Sequence, residues 1–439
     1  MFRWFTVISI FITIFISSYV FFKEPFEAYV SYLAFLIFFP VFFTKFGLPR
    51  WPVLLFFPLL ISGIVYVATG QNTSTMFTKI FVGFFASVLF YHYVIQVFDF
   101  KLKELFKYYM VGSLIVSFIG LFQLISFFVG FTPGYNYNWI FNKWSLTAGG
   151  IGLRLNSVFS EPSYFAAVIA PAFFVSLYNT IARKTLFIKR WHGLVIILAY
   201  LLTYSSLGII GIFVAIVLFL LNLGVVKYSI IFIPLFIFSF DYAYKNVPEF
   251  TDRWDGTFTM FETKNYKSYD IHGSSFVLYN NYHIAVENFK RHPLFGTGLG
   301  SHPVAFDKYS LTNLAGAVDI EFNKMDANSM ALRLMSETGI YGLFVMFFIL
   351  FKCWIFKQRA ASEEHWVMSN GIALIIILYL ARQGHYFLNG FPFFLWMYFY
   401  LAKDNKIELA AQEEAKAKRS EEHTSELQSR QYLVCRLLL

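Results

Sequence analysis

Apolar residues come in long runs along this chain, each near the length a helix needs to cross a bilayer, and polar residues collect in the gaps. Runs over 4–22, 26–44, 52–69, 80–98, 108–130, 162–180, 193–206, 207–224, 228–244, 329–351, 367–384 and 386–402 each predict a helix. In hydrocarbon a segment must satisfy its own backbone hydrogen bonds, so such runs become helices. The expected fold is an all-α polytopic membrane protein of about 12 transmembrane helices, with a large external loop between spans 9 and 10. The run 193–224 is the least regular. Thr203, Tyr204, Ser205 and Ser206 precede Gly208 and Gly211, which suits a tight hairpin or one span beside a broken helix. The first run resembles a signal peptide but has no convincing small-residue cleavage site, so an uncleaved span is expected.

Two polar stretches exceed turn length. The first, 131–161, carries Pro133, Gly134, Tyr135, Tyr137, Trp139 and Trp144, then Gly149, Gly150 and Gly152. Its aromatic residues suit an interfacial belt or a sugar-stacking surface. The second, 245–328, places Leu278, Tyr282, Ile284, Ala285, Val286 and Phe289 within Val277–Lys290 at positions compatible with an amphipathic helix, with Pro293 and Gly296 ending it. That stretch is too short for an independent catalytic domain of usual size and long enough for a lid over a site built on the membrane helices. The chain thus divides into a membrane domain, 1–405, and a cytoplasmic tail, 406–418. The remainder, 419–439, reads as a translated sequencing adapter: R-S-E-E-H-T-S-E-L-Q-S from Arg419 to Ser429, and Y-L-V-C-R-L-L-L from Tyr432 to Leu439. The natural C-terminus is then not expected to be the one written here.

Composition supports the membrane reading: 58% of residues are hydrophobic and 14% charged, and mean hydropathy is +0.58. A net charge of +9 would point a soluble protein toward nucleic acid. Here no nucleic-acid partner is expected, because Lys and Arg cluster in alternate short gaps: Lys45 and Arg50; Lys101, Lys103 and Lys107; Arg183, Lys184, Lys189 and Arg190; Lys227; Lys352, Lys357 and Arg359. The positive-inside bias then puts both termini in the cytoplasm and leaves little external charge beyond Lys23 and Lys79. With Cys435 in the adapter stretch, Cys353 stands alone and offers neither a disulfide nor a cysteine metal site.

Three constellations carry candidate chemistry. In Arg154-Leu-Asn-Ser-Val-Phe-Ser-Glu161-Pro162-Ser163 a cation and a carboxylate flank the start of a span, with Pro162 at its first turn. A helix N-terminus there suits a phosphate or diphosphate; equally, Ser160 or Glu161 caps the helix and Arg154 snorkels to lipid phosphates. In His292-Pro293-Leu-Phe-Gly296-Thr-Gly298-Leu-Gly300-Ser-His302 three alternate glycines allow close approach of backbone to a ligand, or simply a flexible corner. The third runs from Asp326 and Asn328 to Arg333, Glu337, Gly339 and Gly342, where Arg333 and Glu337 sit four apart on one helix and can pair. Ionisable residues inside a span usually face a polar cavity. Arg382 and His385 form a smaller cluster of the same kind.

Arg154 through Ala166, with Glu161-Pro162-Ser163, resembles the signature of bacterial O-antigen and capsule polymerases of the Wzy type. Pro293-x-x-Gly296-x-Gly298-x-Gly300, followed by Asn328…Glu337-x-Gly339-x-x-Gly342, is similar to the C-terminal motif those polymerases share with O-antigen ligases. The resemblance implies a glycosyltransferase of the bacterial plasma membrane, working at its outer face without metal, nucleotide sugar or other cofactor. It would move a growing glycan from undecaprenyl diphosphate to a lipid-linked repeat unit, with a chain-length regulator protein as a further partner. An O-antigen ligase and a non-enzymatic flippase of lipid-linked oligosaccharide are the alternatives. Carried over, Arg154 holds the donor diphosphate, Asp326, Glu161 and His302 compete as general base, and Ser163, Gly296, Gly298, Gly300, Asn328, Arg333 and Glu337 bind substrate. Two departures stand out. Phe276 and Val277 occupy the place where many members carry an Arg, for which Arg253 or Arg291 would substitute. Ala327 replaces the His that ligases place beside the Asn.

Overall fold

The computed structural model describes residues 2–22, 27–149, 152–224, 248–263, 273–311 and 323–437, with single positions between 234 and 245. The expected span 228–244 lies largely outside the described residues. In chain order the helices are α1 (Phe2–Phe15), α2 (Val30–Phe46), α3 (Arg50–Ala68), α4 (Ser74–Val97), α5 (Leu102–Phe128), the single turn α6 (Thr132–Tyr135), α7 (Pro162–Ile181), α8 (Arg190–Leu201) and α9 (Ser206–Leu223). They continue as α10 (Pro248–Thr263), α11 (Gly273–Arg291), α12 (His302–Tyr309), α13 (Met330–Lys352), α14 (Glu363–Arg382) and α15 (Phe391–Leu437). Among the described residues there is no strand, only the isolated bridges Val20–Tyr29 and Ala148–Leu153. Among the described residues seven helices, α3, α4, α5, α7, α9, α13 and α14, are long and apolar enough to cross a membrane, and α1, α2 and α8 are shorter apolar helices. The protein is an all-α, multi-pass membrane protein.

The centre of the bundle is α14 against α7, with α9, α13 and α15 around α14 and α5 and α8 against α7. Small residues permit the close approach: a Cβ at Gly371 would lie 3.1 Å from the Pro171 carbonyl oxygen of α7. Pro171 also breaks the hydrogen-bond ladder of α7, and the Tyr109 hydroxyl fills the gap. It donates to the Val168 carbonyl at 2.7 Å and accepts the Ala172 N–H at 3.2 Å. The irregular 193–224 run resolves into two helices that both pack on α7. They are separated at Leu202–Ser205, where the Ser205 hydroxyl caps α9 by accepting the Gly208 N–H at 2.9 Å.

The two ends of the bundle differ. Basic turns gather at one: Lys103 pairs with Glu364 at 2.9 Å and Lys184 with Glu363 at 3.3 Å, and Asn222 accepts the Lys357 N–H at 2.9 Å. Longer polar segments gather at the other. There the first apolar run is corrected: α1 stops at Phe15, short of residue 22. The Ser17-Ser18 step leaves the helix, Phe21 donates its N–H to the Ala28 carbonyl at 2.8 Å and Ala28 donates to the Phe22 carbonyl at 2.9 Å, so that 27–29 lie beside 20–22. Asn142 then ties this pair of segments to the 131–161 segment through both the N–H and the carbonyl of Val20.

Candidate functional site

Helix α13 is interrupted at Gly339, whose φ of 61° and ψ of −147° are open in practice only to glycine. The break leaves carbonyls and N–H groups without helical partners, which is tolerated at membrane depth only where protein supplies substitutes. The glycine loop does so. Thr297 and Gly298 donate their N–H groups to the Ser336 and Glu337 carbonyls at 3.2 and 2.8 Å. Ile340 and Tyr341 donate to the Pro293 and Leu294 carbonyls at 2.8 and 3.1 Å. Gly296 passes so close that a Cβ would lie 2.4 Å from the Glu337 carbonyl carbon. Asn288 of α11 completes the clasp by donating to the Ser336 carbonyl at 2.9 Å.

Glu337 is fully buried beneath this clasp and accepts four hydrogen bonds, from Gly300 N–H (2.8 Å), His302 N–H (3.4 Å), Arg333 Nε (3.0 Å) and Tyr386 OH (3.0 Å). The expected Arg333–Glu337 pair is therefore formed, and it is a positioning device. Arg333 also donates Nη1 to the Gly384 carbonyl at 2.8 Å and lies 4.5 Å over the Tyr386 ring. The guanidinium is thus fixed in the wall of a cavity of about 740 Å³.

That cavity lies at the end of the bundle away from the basic turns and draws on segments far apart in sequence. Lys79 reaches it from α4, Lys143 from the 131–161 segment and Arg333 from α13. Glu27, Glu161 and Asp326 supply carboxylates, and Tyr29, Tyr32, Tyr164 and Trp144 supply rings. Lys143 Nζ lies 2.6 Å from both a Glu27 oxygen and the Tyr29 hydroxyl. Burial works to raise the Glu27 pKa, but the hydrogen bonds from Lys143 and Tyr29 outweigh it and hold the carboxyl below its usual range. On the opposite side, His385 Nε2 stands 3.1 Å from Asp326 Oδ2 and 2.7 Å from the Tyr164 hydroxyl. Burial pushes Asp326 upward as well. The hydrogen bond from His385, the Asn328 N–H at 3.1 Å and the charge of Arg333 together hold it well below the carboxylate range.

Among residues singled out from sequence, Trp144, Glu161, Gly300, Asp326, Arg333 and His385 line the cavity. Others support it from behind. Ser163 donates its hydroxyl to Glu161 at 3.1 Å, Asn328 braces Asp326, and Gly296 and Gly298 shape the clasp around Glu337. Glu161 occupies the N-cap position of α7, but its side chain makes no capping bond and stays exposed at the rim. Arg154 does not line the cavity: its Nε points at the Thr203 carbonyl, 3.4 Å away in the α8–α9 turn. His302 is fully buried behind the clasp with Nε2 2.9 Å from Asn281 Oδ1. Burial, with the nearby charge of Arg333, pushes its pKa down to about 3, and it too is off the lining. Arg291 lies 4.9 Å over the Tyr309 ring, exposed and away from the cavity; the Arg253 side chain lies outside the described residues.

The sequence reading did not select Glu27, Lys79, Lys143 or Tyr164 as site residues, and it placed His385 only in a smaller cluster with Arg382. Lys79 left a signal, as one of the few cations on the external side, and His385 left another, beside Arg382 between two spans. Set against protein-family models and curated protein sequences, the chain matches none.

Proposed function

We propose that the protein is a glycosyltransferase of lipid-linked sugars, joining a glycan carried on a polyprenyl diphosphate to a lipid-linked acceptor at the outer face of a bacterial membrane. The observation that carries this reading is the cavity itself. Three cations and three carboxylates meet aromatic rings at one end of an apolar bundle. A polar headgroup on a hydrocarbon tail needs such a place. Lys79, Arg333 and Lys143 suit a diphosphate leaving group, whose negative charge grows as the glycosidic bond breaks. The rings of Tyr29, Tyr32 and Tyr164 suit the apolar faces of sugars, and the carboxylates suit their hydroxyls.

His385 is the residue we assign as general base. Asp326, kept ionised by its neighbours, engages Nε2, and this leaves Nδ1 to take the proton of an acceptor hydroxyl. The hydroxyl oxygen attacks the anomeric carbon as its proton passes to His385, and polyprenyl diphosphate departs toward the cations. Arg154 takes a bracing role in this scheme, holding the turn before α9. The Glu161-Pro162-Ser163 and glycine blocks, similar to those of Wzy-type polymerases, support the same reading.

The test uses a strain lacking this gene, complemented with Lys79→Met or His385→Gln. Each variant should lower polymer yield by roughly 10²-fold while lipid-linked single units accumulate at the outer leaflet, without loss of the folded protein. Normal polymer from both variants would overturn the reading. Single units held at the inner leaflet would mark a flippase, and long polymer left untransferred would mark a ligase.

A further inference from the structure

At the end of the bundle opposite the cavity, His365 of α14 faces two carboxylates one helical turn apart on α15, Asp404 and Glu408. The imidazole Nε2 lies 3.1 Å from Asp404 Oδ2 and 3.6 Å from Glu408 Oε2, and all three ligand atoms lie within 4.8 Å of one another. Ligands bound at about 2.1 Å in tetrahedral or octahedral geometry stand roughly 3.0–3.4 Å apart, so the two imidazole–carboxylate distances are already near the spacing an ion requires.

Three further observations point the same way. His365 is completely buried, and its other nitrogen, Nδ1, is 2.7 Å from the Ser362 hydroxyl. A hydroxyl that accepts the Nδ1 proton fixes the tautomer and turns the Nε2 lone pair toward the carboxylates, the usual support for a metal-bound histidine. The carrying elements are locked together independently of the cluster. Asn405 accepts the Ala361 N–H at 2.7 Å and donates to the Arg359 carbonyl at 3.0 Å, which sets α15 against the start of α14. The local charge is also unbalanced. Lys103 lies 2.9 Å from Glu364 and 3.9 Å from Glu408, so one ammonium is shared between two carboxylates, while Asp404 faces His365.

We propose that His365, Asp404 and Glu408 form a binding site for a divalent first-row metal ion, zinc by preference, that staples α15 to the head of α14. One imidazole and two carboxylates suit zinc and disfavour magnesium, which takes oxygen ligands. Water completes the coordination on the exposed side, where Asp404 and Glu408 keep 45% and 38% of their side-chain surface. The site is remote from the cavity and stands or falls separately from the transferase reading.

The experiment titrates the full chain, purified in detergent without a polyhistidine tag and stripped with a chelator, with zinc chloride against a chromogenic zinc indicator. The expected result is one zinc per chain, with affinity falling more than about 100-fold in the Asp404→Asn, Glu408→Gln double variant. Those carboxylates are partly exposed, so the double variant should keep the metal-free melting temperature, and His365→Gln should give the same loss. No stoichiometric zinc on the wild-type chain, or equal affinity in the double variant, would overturn the site.

Discussion

The glycine clasp and the cavity meet at Gly300 and Arg333, yet they are built in opposite ways. The clasp works through backbone: alternate glycines thread past a broken helix and exchange N–H and carbonyl bonds with it, and its side chains mostly face inward to support that exchange. The cavity works through side chains brought from the 27–32 stretch at the start of α2, α4, the 131–161 segment, the start of α7, the 323–328 turn and the turn before α15. A short motif therefore marks the scaffold, and the chemistry is spread over residues that share no motif. Substitutions that separate folding from transfer test this division directly.

The largest effect is expected at Gly339. Alanine there would have to adopt a backbone conformation that costs about 1–3 kcal/mol, and its Cβ would sit 2.4 Å from the Pro293 carbonyl oxygen. Because that oxygen is itself bonded to Ile340 N–H, the clasp has no direction in which to give. Gly339→Ala should reduce the yield of monodisperse protein in detergent by at least roughly tenfold. A Gly339→Ala protein with normal yield and melting temperature would break the comparison, because the break in α13 would then not depend on glycine.

How far the sequence reading reached follows the same division. Membrane helices were legible because apolar runs of spanning length have one structural solution in hydrocarbon. Pro162 at the start of α7, the interruption between α8 and α9, and the Arg333–Glu337 pair were legible because each is a local, short-range consequence of residue type. Helix α11 was legible in place but not in face. Of the apolar residues expected inward, Ile284 and Ala285 are buried while Tyr282 is half exposed. Asn280, Asn281 and Asn288 are buried instead, because α11 packs on polar loops whose backbone groups need partners: Asn280 serves Leu311 N–H, Asn281 serves His302 and Asn288 serves the Ser336 carbonyl. A hydrophobic pattern cannot report a face chosen for hydrogen bonding. For the cavity, Glu27 to Lys143 is a contact across 116 positions and Tyr164 to His385 one across 221, and no local spacing encodes either.

A smaller effect, and one that sharpens the line between the two regions, concerns His302. Its folded pKa of about 3 lies below the ordinary 6.5, so between these values the unfolded chain binds the extra proton. The stabilising contribution is fully present above the ordinary value and is lost as pH falls toward 3. Thermal melts of wild type and His302→Gln should therefore diverge on acidification. The wild-type melting temperature should fall by on the order of 5 °C more between pH 7 and about pH 4, provided Gln keeps the contact with Asn281. Parallel curves would mean that His302 is solvated and lies nearer the cavity than the clasp.

The smallest effect is expected at Arg291, the cation that sequence reasoning offered as a substitute for a missing loop arginine. Its guanidinium stacks on Tyr309 at 4.9 Å on an exposed surface, where such a contact contributes about 0.5–1 kcal/mol. Arg291→Ala should thus change polymer yield by less than about twofold and melting temperature by about 1–3 °C. Lys79→Met should do the reverse, removing activity with little effect on stability, because Lys79 is a half-buried lining residue outside the clasp. Read together, the pair asks whether position on the cavity wall, not charge alone, decides which cations matter. If Arg291→Ala abolished transfer and Lys79→Met did not, the C-terminal end of α11 would be the substrate-binding face, and the boundary between scaffold and site would have to be redrawn along that helix.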